Sequence, residues 1–146
     1  MDAPLWQEQP PPSLPTPVYE GDIAAVADLT RHRGRLHDEL RRLTSPPRAD
    51  ADDLARLLLA FEELTSNGLR HGDLPVHVTV THDGAGWLVD VTDAAPDRCP
   101  APALDRDPAL GGLGLPMVAL LSATHGWWSD PARKHVWACV RPAASG

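Results

Sequence analysis

Three groups of residues in this sequence have the types and spacing to handle a phosphorylated ligand. Glu63, Asn67 and His71 recur at every fourth position. An asparagine oxygen can complete the octahedron of a Mg²⁺ that otherwise holds water and phosphate oxygens. A glutamate one helical turn earlier can take the proton of an attacking hydroxyl. Asp93 closes a segment of alternating apolar residues, where a carboxylate can accept the exocyclic amine of adenine. In Gly111-Gly112-Leu113-Gly114-Leu115-Pro116 the glycines let backbone N–H groups approach an anion, and Pro116 suits the first turn of a helix. A helix start behind a glycine-rich loop is a phosphate site. No Lys-Ser/Thr follows the glycines and no βαβ unit opens on them, which excludes a P-loop and a dinucleotide fingerprint. Each group also has a plain structural reading: a solvated helix face, a turn-forming aspartate, a glycine turn.

The elements that must position these groups are legible as periodicities. Val26, Leu29, Leu36, Leu40 and Leu43 recur at helical spacing between Ile23 and Leu43, and Pro46-Pro47 ends that pattern. The arginines of this stretch interleave with Asp28, Asp38 and Glu39, as on a solvated face. A second helix starts near residues 50–53, where acids suit the positive N-terminal end, and runs to about His71. Leu54, Leu57, Leu58, Phe61 and Leu64 share one arc of it, and the Glu63–Asn67–His71 stripe lies mostly outside that arc. His71 reads as a C-terminal cation or a packing residue. Residues 76–81 and 87–92 alternate with period two around the turn Asp83-Gly84-Ala85-Gly86, and residues 136–140 form a third strand. A last helix runs through Met117, Val118, Leu120 and Leu121. The expected class is α+β: a two-layer α/β sandwich with a mainly antiparallel, mixed sheet and helices on one face.

Composition bounds the function. The chain has 146 residues, one ordinary domain plus flanks, and a formal charge of −7 that argues against direct nucleic-acid binding. No apolar run reaches the ~20 residues of a membrane span, so a soluble, cytoplasmic protein is expected. Cys99 and Cys139 are too few for a disulfide framework or a zinc cluster. Six of the 16 prolines lie in residues 1–17, which predicts a disordered arm over residues 1–19, a domain over 20–142 and a tail over 143–146. A second proline-rich stretch, Pro96 to Pro108, sits inside the domain, where long loops tend to be functional.

The order Glu63-Leu64-x-x-Asn67-Gly68-x-x-His71, then Asp93, then Gly112-Leu113-Gly114-Leu115, then Lys134-His135-Val136-Trp137 resembles the histidine-kinase-like (Bergerat) ATPase family. The likeness is nearest to actinobacterial ATP-binding proteins related to anti-sigma-factor serine/threonine kinases. It implies ATP and Mg²⁺ as ligands. By resemblance Asn67 takes Mg²⁺ and the phosphates, and Glu63 the general-base position, with Glu62 one residue out of register. Asp93 reads adenine, Gly112 and Gly114 line the phosphates, and Leu115 closes the pocket behind them. Residues 94–110 would be the nucleotide lid.

The sequence departs from the family at two points. Asp93-Ala94-Ala95-Pro96-Asp97 keeps neither glycine of the adenine motif, so Ala95 adds a methyl and Asp97 a charge. Lys134-His135 stands where a glycine-threonine pair is expected, which removes a hydroxyl from the adenine carboxylate. The resemblance implies a partner-switching kinase that phosphorylates a small antagonist protein and acts on a sigma factor, with a homodimer suggested by relatives. The alternative is a nucleotide-gated binding module without turnover, and a structural protein with a relict site comes third.

Overall fold

The computed structural model describes residues 6–13, 17–43, 51–82, 86–96 and 114–140. In chain order they form β1 (Tyr19–Ile23), a single 3-10 turn (Val26–Asp28), α1 (Leu29–Leu43), α2 (Ala51–His71), β2 (Val76–His82), β3 (Trp87–Asp93), α3 (Gly114–Leu121), β4 (Thr124–Ser129) and β5 (Lys134–Val140). The strands pair antiparallel in the order β1-β2-β3-β5-β4. This is the expected α+β sandwich: five strands below, three helices above.

Strand periodicity decides what faces the helices. Val76, Val78 and Val80 on β2, Val89 and Val91 on β3, and Val136, Ala138 and Val140 on β5 are all buried, as alternation over a half-covered sheet requires. Against them α2 presents Leu57, Phe61 and Leu64, each fully buried, and α1 adds Leu36 and Leu40. The arginines of α1 pair along the surface, Arg31 with Asp28 and Arg42 with Glu39. Exposed pairs of this kind contribute little to stability.

Three elements differ from expectation. The helix expected from Ile23 begins at Leu29 because residues 19–23 pair with β2, from Tyr19 opposite Val80 to Ile23 opposite Val76. β4, absent from the sequence reading, pairs with β5 through a turn at Asp130, whose Oδ1 accepts the N–H groups of Ala132 and Arg133 at 2.8 Å each. The third difference is in the proline-rich arm, where residues 6–9 are ordered against the edge of β4. Glu8 bridges Trp127 in parallel, Gln9 N–H donates to the Trp127 carbonyl (2.9 Å), and Trp127 N–H donates to the Gln7 carbonyl (3.1 Å).

Trp6 explains the ordering. Its side chain is 1% exposed, its ring lies 4.7 Å from that of His125, and its indole N–H donates to the Leu115 carbonyl at 3.3 Å. One tryptophan buries ~150–250 Å², enough to dock a segment whose prolines disfavour helix and strand. Trp6→Ala is expected to lower the unfolding free energy by ~3–5 kcal/mol in a urea titration. Gln7→Ala, whose side chain is exposed, should stay within ~0.5 kcal/mol of wild type.

Candidate functional site

α2 sets the site because one helix must satisfy two environments. Phe61 and Leu64 turn into the core, so Glu63 and Asn67 are carried to the half-buried rim of the helix layer. There Glu63 meets the first residue of α3: a Cβ on Gly114 would overlap Glu63 Oε2 and lie 3.4 Å from Glu63 Cβ. Glycine admits that approach without displacing the carboxyl group. The first N–H groups of a helix have no intrahelical partner and carry partial positive charge, so an acid and an anion-attracting helix end sit together. Burial pushes the Glu63 carboxyl above its usual range, Glu62 beside it adds repulsion, and Arg70 offsets part of the effect. Glu62 turns instead to Arg33 on α1, 3.7 Å away. His71 is half-buried in the last turn of α2.

The end of α2 also meets the end of β3. A Cβ on Gly72 would overlap the Asp93 carboxyl group, and the Ala94 N–H donates to the Asp73 carbonyl at 2.8 Å. Asp93 itself is 1% exposed. Its Oδ1 accepts the Ala95 N–H at 2.8 Å, so the non-glycine Ala95 is folded against it and buried. Among the described residues its Oδ2 has no hydrogen-bond partner, and Lys134 Nζ lies 3.5 Å from it. Asp93 and Lys134 are register partners on β3 and β5.

Sequence reasoning recorded Lys134 as a departure but missed this pairing. The signal was there: Lys134 shares strand parity with Val136, Ala138 and Val140, all core-facing. His135 has the opposite parity and lies on the other face of the sheet. Its Nδ1 is 2.9 Å from Asp90 Oδ2, and its Nε2 is 3.7 Å from Asp130 Oδ2. The hydrogen bond to Asp90 raises the His135 pKa, burial opposes it, and the Asp90 and Asp130 charges add to the rise. The two replacements of the expected glycine-threonine pair therefore act on opposite faces.

Gly112, Asp97, Cys99 and residues 97–110 of the expected lid lie outside the described residues. Leu115 is 4% exposed and packs in the main core, with its carbonyl taken by Trp6. The residues present fit a magnesium–phosphate ligand. Gly114 lets the Glu63 carboxyl reach a helix start, and Asn67 offers a neutral oxygen donor. Among the described residues no three His, Cys, Asp or Glu side chains cluster as metal ligands. That donor set suits an ion which keeps most of its waters and substrate oxygens.

A one-sided antiparallel sandwich with an acid–amide pair on the helix across its middle, a carboxylate at a strand end and a glycine at a helix start defines a ligand-binding α/β sandwich. Residues 25–140 match the model of the histidine kinase-like ATPase domain. The chain belongs to that family, and membership implies ATP as the ligand. No curated protein matches the chain.

The His135 cluster generates a pH prediction. Because its folded pKa lies above the ordinary value of 6.5, its stabilisation is complete below that value and is lost as pH rises through the folded pKa. The stability difference between wild type and His135→Gln, measured by urea melts, should be larger at pH 5.5 than at pH 8.5. The scale is that of a part-exposed pair, ~0.2–1 kcal/mol.

Proposed function

We propose that this chain is an ATP-dependent serine/threonine protein kinase of the partner-switching type, acting in the cytoplasm. Its substrate would be a small antagonist protein and its second partner a sigma factor. The observation that carries the reading is the Glu63 carboxylate held against Gly114 at the start of α3. A proton acceptor and a phosphate-attracting helix end are thereby within one side chain of each other.

In the transfer the antagonist's hydroxyl oxygen bonds to the γ-phosphorus of ATP. The bond from that phosphorus to the β–γ bridging oxygen breaks, and ADP leaves. Glu63 accepts the hydroxyl proton, and burial makes it a better base than an ordinary glutamate. By the family likeness Gly112 and Gly114 would line the phosphates, Leu115 would back the pocket and Asp93 would hold the base. Asn67 would hold Mg²⁺, which supplies neutralisation of triphosphate charge. Positioning and electrostatics carry most of the catalysis, as phosphoryl transfer generally requires.

Several features support the setting. The charge of −7 suits protein rather than nucleic-acid partners. Among the described residues no helix is long and apolar enough to cross a membrane. The second reading, a nucleotide-gated binding module, is favoured by one observation: Asp93 is buried and already faces a cation of its own chain.

Two measurements test the kinase reading. Asn67→Ala should weaken Mg²⁺-ATP more than ATP in EDTA, and equal losses in calorimetry would remove the ion from Asn67. Glu63→Gln should cut phosphate transfer from γ-labelled ATP to candidate antagonists by ~10²–10⁴ while ATP still binds. In wild type the rate should rise with pH along a limb displaced above the ordinary glutamate range, since the ionised base is the active form. If wild type transfers nothing yet ATP changes its affinity for a partner, the module reading replaces this one.

A further inference from the structure

A base-reading carboxylate must be reachable by the base, and Asp93 is not. It is 1% exposed, and the Lys134 side chain opposite it is 2% exposed. Three constraints hold the pair in place. The β3–β5 register sets Asp93 opposite Lys134. Strand parity turns Lys134 to the helix side with Val136 and Ala138. Gly72 admits the carboxylate under the end of α2, where any side chain would collide with it. Asp93 Oδ1 is committed to the Ala95 N–H, so Oδ2, with no hydrogen bond and an ammonium 3.5 Å away, is the atom left for a ligand.

We propose that Lys134 is an internal competitor for that atom: its ammonium stands where the exocyclic amine of an adenine base would donate, and it must withdraw for the base to bind. The inference rests on the reading of Asp93 as the base-holding carboxylate. Its direction follows from donor strength. Either donor makes a charge-assisted bond to a carboxylate, but the ammonium adds the attraction of a second full charge, which a neutral aromatic amine lacks. A buried cation deprived of its partner is costly, so the base must also displace Lys134 to solvent. Lys134 thereby sets the nucleotide affinity of the site, keeping it low in wild type and releasing it when a partner or a substitution removes the ammonium.

Adenosine isolates the effect because it carries no phosphate to respond to a lost positive charge. Binding of adenosine, and separately of Mg²⁺-ATP, is measured by calorimetry for wild type, Lys134→Met and Asp93→Asn. Lys134→Met keeps the length of the side chain without the charge, and it should bind adenosine at least tenfold more tightly than wild type. Adenosine should also raise its melting temperature more than that of wild type, because the amine repairs an uncompensated carboxylate. Unchanged or weaker adenosine binding by Lys134→Met overturns the inference while leaving the nucleotide reading intact. Failure of all three proteins to bind adenosine or Mg²⁺-ATP overturns both.

A second measurement uses the wild-type chain and covers the case in which Lys134→Met does not fold. Lys134 is the only lysine in the sequence, so an amine-reactive acylating reagent modifies a single side chain, read by peptide mass mapping. Saturating ATP should speed acylation of Lys134 at least tenfold as the ammonium leaves Asp93. An unchanged or slower rate means that the ammonium stays at Asp93 beside the base, and the inference fails.

Discussion

The structure depends on α2 lying across the middle of the sheet with two faces that cannot be exchanged. Phe61, Leu64 and Leu57 are wholly buried against α1 and the sheet. Rotating the helix to improve the surroundings of Glu63 would expose them, at roughly 1.5–3 kcal/mol per large apolar side chain. The core therefore fixes where the acid and the amide point. Glu63 is carried to the start of α3, and the last turn carries Gly72 to the end of β3. Both ends of the site are consequences of one packing solution.

That constraint also explains what the sequence revealed and what it withheld. α2, β2, β3 and β5 have strong periodicity, because each buries a continuous apolar face, and the residues they carry could be placed in advance: Glu63, Asn67, Asp93. β1 reads Tyr-Glu-Gly-Asp-Ile and β4 reads Thr-His-Gly-Trp-Trp-Ser. Both lie at edges of the five-stranded sheet, where a single neighbouring strand supplies the pairing and alternation is weak. Their identity as strands comes from the partner, which local patterning does not encode. The docked part of the arm, residues 6–9, is a related case. Proline content describes the average behaviour of a segment, whereas a single tryptophan filling a hole in a distant surface decides where that segment goes.

The departures from the family pattern acquire separate meanings once strand parity is applied. Lys134 faces the helices and Asp93, while His135 faces the opposite surface with Asp90 and Asp130. Adjacent residues on a strand thus belong to different chemical compartments. At Ala95 the backbone matters as well as the methyl. Its backbone N–H caps one oxygen of Asp93, which leaves the other as the only acceptor that a ligand or Lys134 can contest.

The hydrogen bond from Trp6 to Leu115 closes a span of 109 residues, the longest reach but two in the chain's side-chain hydrogen bonding described here. Loop entropy grows only logarithmically with such a span, so distance itself adds little cost. What the contact requires is that α3 and β4 already be assembled, because each supplies half of the indole's seat through Leu115 and His125. The arm therefore docks on a surface that α3 and β4 make together. Peeling it would bare the backbone edge of β4 beside Trp127 and, in the same motion, loosen the carbonyl one residue beyond Gly114. The sheet edge and the start of α3 share one contact, the arm.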